Sequence, residues 1–213
     1  MQDSQFNGRK APRAYRREQL IAATISTVAR RGLTQTTLSE VAKAAGVSHG
    51  LINFHFQTKE SLFAETLSHM SNEHRAIWTR ALAAAGPAAA DRINALILAE
   101  IDEANFCKER LNALSVFWGE AQNQPLYLNQ CGENDRALIR AFEEACETLS
   151  VEGGYGVDPQ LAARVLRVTI EGVKLELMLS ALPYSFDEAR RTAFFCAAML
   201  FPRHFSADGL IPR

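Results

Sequence analysis

The 213-residue sequence is short of the residues and patterns that most chemistry requires. Its four cysteines, Cys107, Cys131, Cys146 and Cys196, show no metal-ligand spacing and read as reduced, mostly buried thiols of a cytoplasmic protein. The five histidines, at positions 49, 55, 69, 74 and 204, form no ligand pair at helical spacing. There is no glycine-rich phosphate loop and no nucleophile elbow, so neither enzymatic turnover nor a cofactor or metal is expected. No apolar run is long enough to span a bilayer. The opening residues are polar and basic with no apolar run behind them, so no secretory leader is expected. Internal repeats are absent, and low complexity is confined to an alanine-rich piece at 81–90. No segment alternates in the manner of a convincing strand.

What is present is a 47 % hydrophobic chain, ample for a packed core, with its charge unevenly distributed. Residues 1–60 hold nine Lys/Arg against four Asp/Glu, whereas residues 61–213 hold 14 against 20. A basic head on an acidic body suits a polyanion-binding segment joined to a domain with another task. Arg9, Lys10, Arg13, Arg16 and Arg17 precede or open the first long helix. Alone they read as a solvated tail; beside a DNA-reading unit they form a phosphate-contacting arm.

Residues 36–62, TTLSEVAKAAGVSHGLINFHFQTKESL, hold two helical patterns, each too short to be stable alone, with Gly46 between them. Thr37 with Glu40 makes a capping box, Gly46 ends the first helix and Ser48 caps the second. A short helix, a glycine turn and a second short helix spell a helix-turn-helix unit, with an ordinary helical hairpin as the alternative. Val47 and Ile52 anchor it, leaving His49, Gly50, Asn53 and Phe54 outward. An outward Phe54 beside Asn53 suits a face entering a DNA groove. There Asn53 can bond an adenine edge, Leu51 and Phe54 can pack on thymine methyls, and Thr37, Ser48, His55 and Lys59 can hold phosphates.

Helices are expected almost throughout, about nine in all. The first covers about Arg13–Arg31, stopping at Gly32, and the two short ones follow. Thr58 caps a fourth helix, broken at Gly86-Pro87, with Phe63, Leu67, Met70, His74 and Ile77 at helical spacing. Others fit Asp91–Ala104, Lys108–Gln122 and Pro125–Leu149, the last interrupted near Gly132. A loop at 152–156 follows, then a helix opened by Asp158-Pro159. A final helix, capped by Ser185 and Glu188, ends near Pro202.

The helix from Pro159 to Leu182 carries two apolar stripes. Leu161, Val165, Val168, Gly172, Leu175, Leu179 and Leu182 make a heptad seam, and Leu166, Ile170, Val173 and Leu177 a second line. Arg164, Arg167, Glu171, Lys174 and Met178 fill the remaining sector. Two stripes call for two apolar neighbours. One is the protein's own core, and the other a partner helix, most simply from a second copy; a helix buried within one monomer is the alternative. Phe194, Phe195, Ala198 and Met199 of the last helix complete a four-helix dimer interface.

The block from Tyr15 to Leu67 resembles the DNA-binding domain of the TetR family of bacterial repressors. The resemblance is carried by Thr37 to Ser48 and by Phe56-Gln57-Thr58-Lys59-Glu60-Ser61-Leu62. Phe117-Trp118, Gln124-Pro125-Leu126-Tyr127 and Glu171-Gly172 resemble, more weakly, the C-terminal domain of the BetI-type subgroup, whose best-known member responds to choline. The resemblance implies an all-α homodimer on a pseudo-palindromic operator in double-stranded DNA, released by a small-molecule inducer. A DNA-bound protein-docking factor without a ligand is the alternative. The organisation expected is a basic tail at 1–12, a DNA-binding domain at 13–57 and a ligand-binding and dimerisation domain at 58–213. Two positions depart from the family pattern. His55 stands where a backbone-touching tyrosine is frequent, giving a contact that weakens as pH rises. Lys174 stands where an aromatic is frequent, which disfavours a quaternary-ammonium cage.

For the ligand, His74 points into the body on the fourth helix's stripe, and Phe106, Phe117, Trp118 and Tyr127 surround the sixth helix. These can wall a mostly apolar pocket, although each alone fits plain core. Glu176 falls between the apolar stripes of the dimer helix. It is expected either to pair with an arginine across the interface or to offer a carboxylate to a cationic ligand.

Overall fold

The computed structural model describes residues 12–119 and 124–212; the Gln124 side chain, and the tail with Arg9 and Lys10, lie outside them. Nine helices occur among the described residues: α1 (Arg13–Gln35), α2 (Leu38–Ala44), α3 (His49–His55), α4 (Lys59–Ala84), α5 (Ala89–Glu100), α6 (Lys108–Gly119), α7 (Gln124–Gly153), α8 (Pro159–Leu179) and α9 (Phe186–Leu200). None is long and apolar enough to cross a membrane. The chain divides into two compact units, one holding residues up to His69 with Asn112–Gln130, the other Met70–Leu111 with Cys131 onward.

In the first unit α2 packs on α1 and α3. Leu20, Ile21, Ile25 and Val28 of α1 bury together with Val41, Ala42, Ile52 and Phe56. Gly32, at φ 74° and ψ 172°, leaves helical geometry and breaks α1 where the first helix was expected to stop, and a short further run continues to Gln35. Gly46 answers the question its position raises. At φ 65° it ends α2 in a Schellman motif, Val47 N–H donating to the Ala42 carbonyl (3.0 Å) and Gly46 N–H to that of Lys43 (3.2 Å). Thr37 accepts from Glu40 N–H and Ser48 from Leu51 N–H, each at 3.2 Å. Glu40 turns to Arg31 at 3.4 Å.

In the second unit α8 packs on α9, and α5 packs on α9 and β2 (Gly209–Leu210). Leu166, Ile170 and Val173 of α8 meet Ile93, Leu96, Ile97, Phe142, Leu149, Ala193, Phe194 and Phe201 in the core. Asp158 accepts from the Gln160 and Leu161 amides, and Ser185 and Glu188 complete a reciprocal capping box.

Five readings change here. α7 runs through Gly132 without interruption to Gly153, and α5 stops at Glu100, four residues short of Ala104. A two-residue hairpin of β1 (Phe205–Ser206) and β2 exists where no strand was expected, burying Phe205 beneath α9. Lys174 leaves the polar sector of α8 and is 5 % exposed. Phe194, expected at the dimer surface, is 4 % exposed and stacks on Phe205 in the core.

Candidate functional site

The α3 helix is held from beneath by Ile52 and Phe56, both buried. Its opposite side presents His49, Gly50, Asn53 and Phe54 to solvent, with Phe54 69 % exposed. Asn53 donates through Nδ2 to His49 Nδ1 at 3.1 Å, one turn back, which orients its amide and leaves Oδ1 and a second N–H for an adenine edge. Leu51 is half-buried beside them. The cap hydroxyls of Thr37 and Ser48 accept from their own helices and keep their protons to donate to phosphate.

The basic residues divide by task. Arg17 pairs with Glu65, reaches the His55 carbonyl (3.3 Å) and stacks over Phe56 at 4.8 Å, so it is a structural clamp rather than part of a free arm. Lys59 donates to the Leu33 carbonyl at 2.6 Å, tying α4 to the end of α1. Arg13 lies 5.8 Å from the Phe54 ring. His55 is pushed below its ordinary 6.5 by burial and by Arg17, Arg13 and Arg16, and its Nδ1 is buried without a hydrogen-bond partner among the described residues. Both causes favour the neutral ring in the free protein.

The ligand candidates separate into two groups. In the first unit Phe117 is fully buried edge-on to Phe63 (5.6 Å), and Trp118, 45 % exposed, stands edge-on to Tyr127 at 5.8 Å. In the second unit His74 stands edge-on to Phe106 at 5.4 Å. Glu176 is exposed, and the carboxylate that meets His74 is Glu100.

Glu100 is 1 % exposed. Lys174 Nζ lies 2.6 Å from its Oε2, His74 Nε2 lies 2.6 Å from its Oε1, and Lys174 also reaches Glu171 at 3.1 Å. The Lys174 ammonium stands 4.4 Å from the Phe106 ring centre. An ionised carboxylate only accepts, so His74 donates through Nε2. Burial pushes the Glu100 carboxyl up, but the charges of Lys174 and His74 and their hydrogen bonds outweigh it and hold the group at about 2. Burial pushes Lys174 down, yet Glu100 and Glu171 raise it to about 12.

Relative to ordinary values of 4.5 and 10.5, Glu100 contributes stability above 4.5 that is lost as pH falls through about 2. Lys174 contributes stability below 10.5 that is lost as pH rises through about 12. With His74→Gln in both proteins, so that no imidazole faces Glu100, the stability difference made by Glu100→Gln/Lys174→Met should thus stay flat from about pH 5 to 10. Denaturation series across that range check it, and a step inside the window would show that these charges are not paired as drawn.

Sequence reasoning missed Glu100, and it marked Lys174 as disfavouring a quaternary-ammonium cage without seeing its burial or its partner. The signal was there for Glu100: with Ile93, Leu96 and Ile97 it completes a helical apolar stripe at i, i+3, i+4 and i+7. Phe106 also lines a groove of about 400 Å³ with Leu111, Leu177, Tyr184, Phe186 and Arg190. Its size and aromatic walls fit a small-molecule site. A larger recess, about 560 Å³, lies among Thr27, Arg30, Arg31, Glu40, Lys43 and Ala44; its charged, solvated lining suits no apolar ligand.

Comparison with known proteins accords with this arrangement. Residues 20–66 match the model of bacterial regulatory proteins of the tetR family, and residues 89–202 that of the BetI-type transcriptional repressor C-terminal domain. The HTH-type transcriptional regulator BetI of Paraburkholderia phymatum is 30 % identical over 193 residues, covering 85 % of this chain and 90 % of that protein. A putative transcriptional regulator from Pseudomonas aeruginosa PAO1 superposes with a TM-score of 0.76 at 25 % identity, over 89 % of this chain and 90 % of that one. One from Saccharomonospora viridis, solved in complex with choline, shares the fold with a TM-score of 0.74 at 17 % identity, over 85 % and 94 % of the two chains. The basic head, the capped reading helix and the two matching domains together show that this chain belongs to the TetR family of bacterial regulatory proteins, with a C-terminal domain of the BetI type.

Proposed function

We propose that this transcriptional regulator works as a homodimeric repressor, reading a pseudo-palindromic operator through α3 and leaving it when a small molecule occupies the groove beside Phe106. The observation that carries the DNA reading is the outward face of α3, where a 69 % exposed Phe54 and an oriented Asn53 sit on a buried base. Two heads on one two-fold axis read two half-sites, as helix-turn-helix dimers do.

The dimer is supported by α8 and α9. Leu161, Val165, Val168, Leu175 and Leu179 form a continuous exposed apolar seam, with Val168 65 % and Leu179 70 % exposed. Phe195 and Met199 extend it from α9, and Ala198 is half-buried beside them. A side chain added at Gly172 would meet nothing within 4 Å, so a partner helix can approach there closely. A second copy of the same seam is its simplest cover.

The test starts by selecting operator sequences from random DNA with the wild-type protein. Asn53→Ala should then lose about 1–3 kcal/mol of discrimination at one base position per half-site, while affinity for unrelated DNA stays put. Unaltered base preference would remove α3 from the groove. Metabolites that dissociate the complex identify the inducer, and Tyr184→Ala should abolish that response without altering operator affinity. An undiminished response would move the ligand out of the groove.

A further inference from the structure

The buried cluster has the parts of a receptor for an organic cation. Glu100 supplies a carboxylate with no exposure to water, Phe106 an aromatic face, and His74 a donor that fixes the carboxylate's other oxygen. Such a site attracts an ammonium through the ring quadrupole and the opposite charge together. The position is taken. Lys174 places its own ammonium 2.6 Å from Glu100 and 4.4 Å from the Phe106 ring centre, and the chain holds it there covalently. A diffusing cation would have to displace an ammonium of equal charge whose local concentration the backbone fixes, leaving that ammonium only Glu171 for a partner.

We propose that Lys174 is a tethered occupant of a cation site built from Glu100, His74 and Phe106, so that an organic ammonium reaching the adjoining groove finds the Glu100 carboxylate already taken. The inference rests on the groove being the ligand site. Phe106 belongs to both, one ring serving the groove wall and the Lys174 contact. Beside the filled site, the groove offers an incoming molecule the apolar walls of Leu111, Leu177 and Phe186 together with the charged Glu103, Lys108, Asp187 and Arg190, the last two paired at 2.5 Å.

Removing the tether should open the site. The probe is tetramethylammonium chloride, read by thermal shift against sodium chloride at matched ionic strength. Wild-type protein should not move. Lys174→Ala should be stabilised by several degrees, and Glu100→Gln/Lys174→Ala should lose that gain. Stabilisation of the wild type overturns the proposal, as does a folded Lys174→Ala that ignores the probe or a double variant that responds equally. If Lys174→Ala does not fold alone, refolding with and without the probe decides the matter: recovery only with it supports the site, and no recovery overturns it. These readouts need no DNA and no inducer. Failure of the groove itself shows separately, as an inducer response that survives Tyr184→Ala.

Discussion

Lys174→Met is expected to destabilise the C-terminal unit by about 3–5 kcal/mol, the cost of leaving a buried ion without its partner. Glu100 is 1 % exposed and would keep only His74, while the exposed Glu171 can return to water. The methionine fills much the same volume, so a loss of this size reports charge rather than a cavity. Glu100→Gln/Lys174→Met should recover most of it, because removing both charges removes their desolvation as well. Urea unfolding of the three proteins separates the cases. If Lys174→Met cost under about 1 kcal/mol, water would have to reach the carboxylate, and the cluster would not be the dry site described.

Leu175→Glu should have the second large effect, on assembly. Leu175 lies in mid-seam at 50 % exposure in one protomer, so a carboxylate there is harmless to the folded monomer. In the dimer it would be desolvated without a partner, at about 2–3 kcal/mol. The two-fold axis counts it twice, which raises the dimer dissociation constant by roughly 10³–10⁴-fold. Sedimentation should show monomers of unchanged helicity, and operator affinity should fall with the dimer. A variant still dimeric would place the interface elsewhere.

The reading head was legible in the sequence because each of its signals is local. Thr37, Gly46, Ser48 and Thr58 cap or end helices within a few residues, and each does so in the structure. The second stripe of α8 was legible for a similar reason: Leu166, Ile170 and Val173 repeat at helical spacing and all face the core. The ligand region was much less so. Lys174 looked like a surface residue because nothing near it in sequence shows that Glu100, 74 residues earlier, waits inside. Phe194 and Phe195 are neighbours with opposite fates, and spacing within α9 could not assign Phe194 to the core without the hairpin at 205–210 that covers it. That hairpin is two residues a side, too short for any alternation to register.

The interleaving of the two units carries a consequence for how the chain folds as it leaves the ribosome. The first unit takes in residues 112–130, and Phe63 meets its partner ring only at Phe117. The first unit therefore cannot complete its packing when the reading head has emerged; some 50 residues that largely belong elsewhere must be made first. The second unit waits longer, since Phe205 must reach Phe194 before α9 is sealed. Closing such long loops costs little extra entropy but delays the contacts that repay it. For that interval Phe63 is exposed to water and to neighbouring chains, and synthesis speed between residues 70 and 130 becomes a determinant of yield. Slowing translation after residue 130, where the first unit is whole, should cost nothing, whereas a pause near residue 100 should favour aggregation.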